Sequence, residues 1–169
     1  MNYRYQIVET AFGYAAVAFG EQPFAIVEVK LPRGDLETLC RSFGERGWTM
    51  EPGHAGAAAV AQTLADYFAG GRIEVPWPAM DLARFSAARQ AVYRAVADIP
   101  YGQTASYGQI ARTAGHPRAA RFVGTTMAKN PYPVFIPCHR VIKSDGTLGG
   151  FGGGHGLKQR MLAMESAHR

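Results

Sequence analysis

Cys138 lies in Ile136-Pro137-Cys138-His139-Arg140-Val141, directly after the apolar residues Val134-Phe135-Ile136 and directly before two basic side chains. A cysteine is a nucleophile only as its thiolate, and an adjacent imidazole or guanidinium favours that charged form. Pro137 fixes φ and removes a backbone donor, so the segment reads as a stiff turn presenting a thiol at the end of a buried, strand-like run. The chemistry is nucleophilic attack by sulfur; the competing reading of the hexapeptide alone is a buried structural cysteine. The second cysteine, Cys40, falls on the core-facing side of a short helix and is assigned no chemistry. No Cys-x-x-Cys or His-x-x-x-His spacing occurs, so no metal site is expected. The run Gly149-Gly150-Phe151-Gly152-Gly153-Gly154 matches neither a P-loop nor a dinucleotide fingerprint, and no cofactor is expected. Those glycines suit a closely approached backbone beside the cysteine.

The chain that must position this thiol has 169 residues, 47% hydrophobic and 18% charged, the balance of a globular protein of one domain or two small ones. The net charge of +5 is unevenly spread: residues 1 to 78 carry six Lys/Arg against nine Asp/Glu, and residues 79 to 169 carry twelve against four. Between Arg84 and Lys143 nine basic residues face only Asp98, the footprint of a polyanion-binding half. No apolar run approaches a membrane span, and the Met1-Asn2-Tyr3-Arg4 opening has no signal-peptide core. The expectation is a cytoplasmic protein with free thiols, not associated with a membrane.

Residues 3 to 9, 13 to 19 and 23 to 30 read as three strands of an antiparallel meander, separated by Gly13 and by Gly20-Glu21-Gln22-Pro23. Asp35 is placed to cap a helix through Leu36, Leu39 and Cys40 to Phe43, ended by Gly44. Residues 57 to 69, with Val60, Leu64, Tyr67 and Phe68 at helical spacing, form a second helix that covers the sheet. Proline-punctuated Ile73-Glu74-Val75-Pro76-Trp77-Pro78 reads as extended, and the charge balance changes sign there. A domain boundary is expected near residues 76 to 84, dividing the chain into 1–78 and 79–169.

The second half reads as a succession of short helices. Ser86 to Asp98 is followed by Ser106-Tyr107-Gly108-Gln109, a capping box opening a helix to Ala114. Gly115 ends it, and His116-Pro117 restarts the chain with proline at a first helical position. Two short helices around a glycine turn form a helix-turn-helix pattern. Ala119, Ala120, Val123 and Met127 are expected to face inward, with Arg118, Arg121, Phe122, Thr125 and Thr126 on the side facing a nucleic acid. Leu157 to Glu165 reads as an amphipathic helix with Leu157, Met161, Leu162 and Met164 inward and Glu165 turned toward the cysteine.

The helix-turn-helix, Asn130-Pro131, Pro137-Cys138-His139-Arg140 and the Gly-Phe-Gly-Gly-Gly run, in this order, resemble the O6-alkylguanine-DNA alkyltransferase family, without gaps from about Ile99 to Glu165; residues 1 to 80 match in layout only. The resemblance implies an α+β protein: an N-terminal ribonuclease-H-like antiparallel sheet with helices, and a C-terminal helical domain whose helix-turn-helix is winged-helix-like. It implies a monomer that flips O6-alkylguanine out of double-stranded DNA and takes the alkyl group onto Cys138 in a single, suicidal turnover. By matching positions, His139 relays the thiol proton through a water, Glu165 orients His139, and Tyr107 helps expel the 3′ phosphate and contacts the guanine. Arg121 fills the stack, Asn130 ties the DNA-binding elements together, Val141 and Gly152 contact the base, and Met127, Pro133 and Phe151 line the pocket. His116 and Ser144 touch the DNA backbone, beside Arg118, Phe122 and Thr125.

Four positions depart from the family pattern. Phe151 stands where tyrosine is common, Phe122 and Thr125 where small residues are usual, and His116 where asparagine is common, a better helix cap. Two other functional classes fit parts of the pattern: an alkyltransferase-like protein that only marks lesions, whose members lack the cysteine, and a dimeric helix-turn-helix transcription regulator.

Overall fold

A computed structural model describes residues 3–168; Met1 and Asn2 of the opening tetrapeptide lie outside the described residues. The chain forms two compact units, Met1–Asp81 and Leu82–Arg169.

In the first unit, strands β1 (Arg4–Thr10), β2 (Gly13–Glu21) and β3 (Phe24–Lys30) pair antiparallel. Gly13, at φ 111°, turns the first hairpin where only glycine is comfortable. A two-residue strand β4 (Thr49–Met50) joins β1 in parallel and completes the order β3-β2-β1-β4. It is too short to carry a sequence period, and nothing in the pattern announced it.

Helix α1 (Leu36–Gly44) starts at Asp35, whose carboxylate accepts from Thr38 N at 2.7 Å. Helix α2 (Ala55–Phe68) starts two residues before the periodic stretch, because the His54 ring nitrogen Nδ1 accepts from Ala57 N at 3.2 Å. Tyr5, Ala16, Ala18, Leu39 and Phe43 pack together on one face of the sheet, while Phe19 meets His54 on the other. Both faces of β2 are thus covered, which is why Ala15 to Phe19 is an unbroken buried run rather than an alternation. Cys40 is half-buried beside Tyr5 rather than in the core. The Ile73 to Pro78 stretch forms no strand; it ends in a 3-10 turn at Trp77–Ala79.

In the second unit, α3 (Ala87–Ala97) is capped by Ser86 and α4 (Tyr107–Thr113) by the Ser106–Gln109 box, with both reciprocal bonds made. Helix α5 (Ala120–Ala128) begins three residues later than proline-first placement required, and Pro117 lies in a turn closed by Ala119 N to His116 O. The four residues from His116 are spent reversing the chain, so neither His116 nor Pro117 starts the helix. The α5 inward stripe is also wider than expected: Thr126 is fully buried beside Val123 and Met127 rather than facing outward.

The unit is not purely helical. Strands β5 (Ala105–Ser106) and β6 (Val141–Ile142) form a short parallel pair, and α6 (His155–Ala167) closes the described chain. Its buried stripe is Leu157, Lys158, Met161 and Glu165, with Leu162 and Met164 only half-buried. No helix among the described residues is long and apolar enough to cross a membrane.

Candidate active site

The segment leading to the thiol is not a strand. Val134 adopts φ 77°, a left-handed conformation that a β-branched residue takes only when its surroundings impose it. Ile136 N bonds to Tyr132 O at 2.8 Å and Cys138 N to Ile136 O at 2.7 Å, so residues 132 to 138 coil as successive turns. Cys138 to Arg140 then form one 3-10 turn. The apolar residues read as strand-like are buried turns, with no neighbouring strand to pair with before β6.

Asn130 holds this coil. Its Nδ2 donates to Ile136 O at 2.8 Å, its Oδ1 accepts from Tyr132 N at 3.0 Å, and its side chain also hydrogen-bonds Cys138. Cys138 is 8% exposed. Burial raises its thiol pKa, while the Asn130 hydrogen bond and the Lys158 ammonium pull it down; the net direction is up. The resting sulfur is a thiol and needs a base.

His139 follows Cys138 directly in that turn. Its Nε2 lies 2.7 Å from Glu165 Oε1, with both side chains fully buried. Burial lowers the His139 pKa against the pull of Glu165, so the ring is neutral. Burial also pushes Glu165 up, but hydrogen bonds from His139 and Arg140 outweigh it and hold the carboxyl at about 2. An ionised carboxylate only accepts, so Nε2 carries the hydrogen and Nδ1 is the basic nitrogen.

Arg140 does not activate the thiol as its adjacency suggested. Its Nε and a terminal nitrogen bond Glu165 at 3.0 Å, and its other terminal nitrogen donates to Ile99 O at 2.8 Å. The guanidinium compensates the buried carboxylate instead, aided by Gly102 N on Oε2 at 3.0 Å. The cation acting on Cys138 is Lys158, whose Nζ donates to Val141 O at 2.7 Å and to Leu148 O. Burial lowers the Lys158 pKa to about 8, with Cys138 opposing. Sequence reasoning missed Lys158; its spacing from Leu157, Met161 and Glu165 was the available signal.

Tyr107, half-buried at the start of α4, has its hydroxyl pKa raised by burial and by Cys138. Its ring lies beside Gly124 of α5, and a Cβ on Gly149 would sit 2.9 Å from its hydroxyl oxygen. Phe151 meets His139 edge-on at 6.5 Å and carries Lys158 Nζ 5.9 Å above its ring. Cys138, His139, Glu165, Asn130, Lys158 and Phe151 are thus one cluster. No group of three or more His, Cys, Asp or Glu that could hold a metal occurs among the described residues.

The arrangement can deprotonate a thiol, stabilise the thiolate and deliver it to carbon. What the thiol attacks is narrowed by relatives. A methylated-DNA–protein-cysteine methyltransferase of Mycolicibacterium paratuberculosis is 48% identical over 122 residues, 72% of each chain. The chain belongs to the methylated-DNA–protein-cysteine methyltransferase family. Residues 87–167 match the family model described as the 6-O-methylguanine DNA methyltransferase DNA-binding domain. The crystal structure of Mycobacterium tuberculosis O6-methylguanine methyltransferase superposes with TM-score 0.77 at 33% identity, over 99% of this chain and 94% of that one. The same tuberculosis protein in complex with DNA gives 0.77 at 34%, over 98% and 94%.

Within this methyltransferase family member, the other expected residues divide in two. Met127, Pro133 and Val141 are buried and Gly152 is exposed. Val141 O already accepts from Lys158. Arg118, Arg121, Thr125, His116 and Ser144 are exposed, and Phe122 is half-buried. Among the described residues Arg118 and Arg121 make no ion pair, and both side chains are exposed. Thr125 Oγ1 donates back to Arg121 O at 3.1 Å, and His116 takes part in the turn through its backbone.

Proposed function

We propose that this protein repairs O6-alkylguanine in double-stranded DNA by moving the alkyl group to Cys138 in one irreversible turnover. The observation that carries the proposal is the buried Cys138 thiol in one cluster with neutral His139, whose Nε2 is held by ionised Glu165. His139 Nδ1 takes the thiol proton through a bridging water. Sγ attacks the alkyl carbon, the S–C bond forms, the C–O6 bond breaks, and its electron pair leaves with guanine. Guanine takes a proton from the Tyr107 hydroxyl, which His139 and solvent restore. Proton transfers of this kind contribute about 10² to 10⁴ in rate.

The lesion is out of reach inside a duplex, so the nucleotide is extruded at a cost of a few kcal/mol. Arg121, exposed at the start of α5, fills the gap, while Arg118, Thr125, His116, Ser144 and the half-buried Phe122 contact the groove and backbone. Met127, Pro133, Phe151, Val141 and Gly152 surround the base, and Asn130 couples α5 to the thiol through its bonds to the coil. We assign residues 1–78 to an N-terminal β-rich domain and 79–169 to the DNA-binding and alkyl-acceptor domain, supported by the two compact units. Free Cys40 and Cys138 support a reducing, cytoplasmic location.

The test is intact-mass and peptide mass spectrometry after incubation with a duplex holding one O6-methylguanine. One methyl group on the Cys138 peptide is expected. An unmodified protein, or a methyl on Cys40 alone, defeats the proposal.

A further inference from the structure

Apart from the thiol cluster, the second unit has a cavity of about 290 Å³ whose polar walls are Thr104, Ser106, Gln109, Arg112, Lys143 and Ser144. We infer that this cavity is a seat for one DNA backbone phosphodiester, with Arg112 and Lys143 supplying its positive charge. The inference rests on the repair reading for the identity of the polymer.

The cavity is built rather than incidental. Its floor is the parallel β5–β6 pair, with Ser106 opposite Ile142. One wall is the first two turns of α4, where Ser106 Oγ accepts from Gln109 N at 3.2 Å and Gln109 Oε1 accepts from Ser106 N at 2.7 Å. The other is the turn after β6, closed by Lys143 N to Thr147 O at 2.9 Å. Both walls are therefore held before any ligand arrives.

Its chemistry selects an anion. No carboxylate lines it, and the acid of the adjoining turn, Asp145, directs its carboxylate to Thr147 N and Oγ1 at 2.9 and 2.7 Å. Among the described residues Arg112 and Lys143 make no ion pair, and Asp145, whose carboxylate feels the Lys143 charge, commits its Oδ1 to Thr147, so two cations border one polar space that no carboxylate enters. No aromatic side chain lines the space either, so it offers a base nothing to stack on. At the lower end of pocket sizes, roughly 300 Å³, it suits a phosphate and part of a sugar.

Its position ties it to the lesion. Tyr107 follows Ser106 directly, and a Cβ on Gly149 would meet both the Tyr107 hydroxyl oxygen at 2.9 Å and Lys143 Cγ at 3.6 Å. A phosphate bound by Arg112 and Lys143 thus lies alongside the residue that meets the extruded guanine, where it holds the backbone of that strand while the base is out.

The experiment walks a single neutral methylphosphonate along each strand of a duplex holding one O6-methylguanine. Binding is measured for the protein and for the double variant Arg112→Gln, Lys143→Gln, with melting temperatures confirming that these exposed changes leave the fold intact. One linkage near the lesion is expected to weaken the wild-type protein on the order of tenfold and the variant hardly at all, and the variant's log Kd against log salt slope is shallower by about one to two. Equal losses for both proteins at every linkage, or coincident slopes, overturn the inference. So does inorganic phosphate alone raising the wild-type melting temperature selectively while the linkage walk shows no difference, since the cavity would then hold only the free ion. Binding with the expected coupling but no methyl on Cys138 would defeat the repair reading and leave this seat standing; no binding to any duplex would remove both.

Discussion

The Nζ of Lys158 lies 2.7 Å from the carbonyl oxygen of Val141, pinning α6 to the strand that follows the Cys138 turn. A fully buried lysine is tolerated because its donors meet the Val141 and Leu148 carbonyls, and its charge sits by a sulfur that must become negative. Removing it does two separable things.

Lys158→Met keeps length and apolar stem but leaves two carbonyls without their donor, and is expected to destabilise the protein by about 1–3 kcal/mol in urea unfolding. It also removes the cation that lowers the Cys138 pKa, so iodoacetamide alkylation of Cys138 shifts to higher pH. An unchanged alkylation profile would show that Lys158 is only a structural tie.

Glu165 sets the acid limit of the fold. Its carboxyl is held at about 2, below the ordinary 4.5, so its stabilisation is complete above the unfolded value and is lost as pH falls from about 4.5 toward 2. His139, held neutral below its usual value of 6.5, adds a loss starting higher, because the unfolded ring takes up a proton first. Urea midpoints are expected to fall steadily below about pH 6.5, and more steeply below 4.5. Glu165→Gln should flatten the lower part and slow alkyl transfer at pH 7 by about 10² or more.

Thr126 offers a substitution in the opposite direction. Its side chain is fully buried on α5 and its hydroxyl has no hydrogen-bond partner. Thr126→Val replaces that hydroxyl with a methyl of similar shape, and is expected to stabilise by about 1 kcal/mol in thermal or urea unfolding. A loss of stability would mean that the larger methyl does not fit.

Much of the scaffold was legible because its causes are local. Asp35, Ser86 and the Ser106–Gln109 box announce helix starts within three residues of themselves, and their side chains make those bonds. The meander strands carry apolar runs bounded by glycine turns. His54 was missed as the start of α2 because its cap uses a ring nitrogen rather than a preferred hydroxyl or carboxylate. The two-residue strands β4, β5 and β6 exist only through distant partners, so no local period reports them. Pro117 obeyed its turn rather than its helix preference, since four residues were needed to reverse the chain.

By itself the sequence determined the candidate thiol and its company: a Pro-Cys-His-Arg turn, a basic half and a glycine run are properties of residue type and order. Only the tertiary structure decided how the charges are paired. Arg140, adjacent to Cys138, turns to Glu165 because a buried carboxylate requires a bidentate cation. Lys158, twenty residues on, reaches the thiol's surroundings because α6 folds back against the turn that carries it. Adjacency along the chain constrains backbone atoms, but which charge a buried charge meets depends on where the helices pack, and that is settled by the whole core.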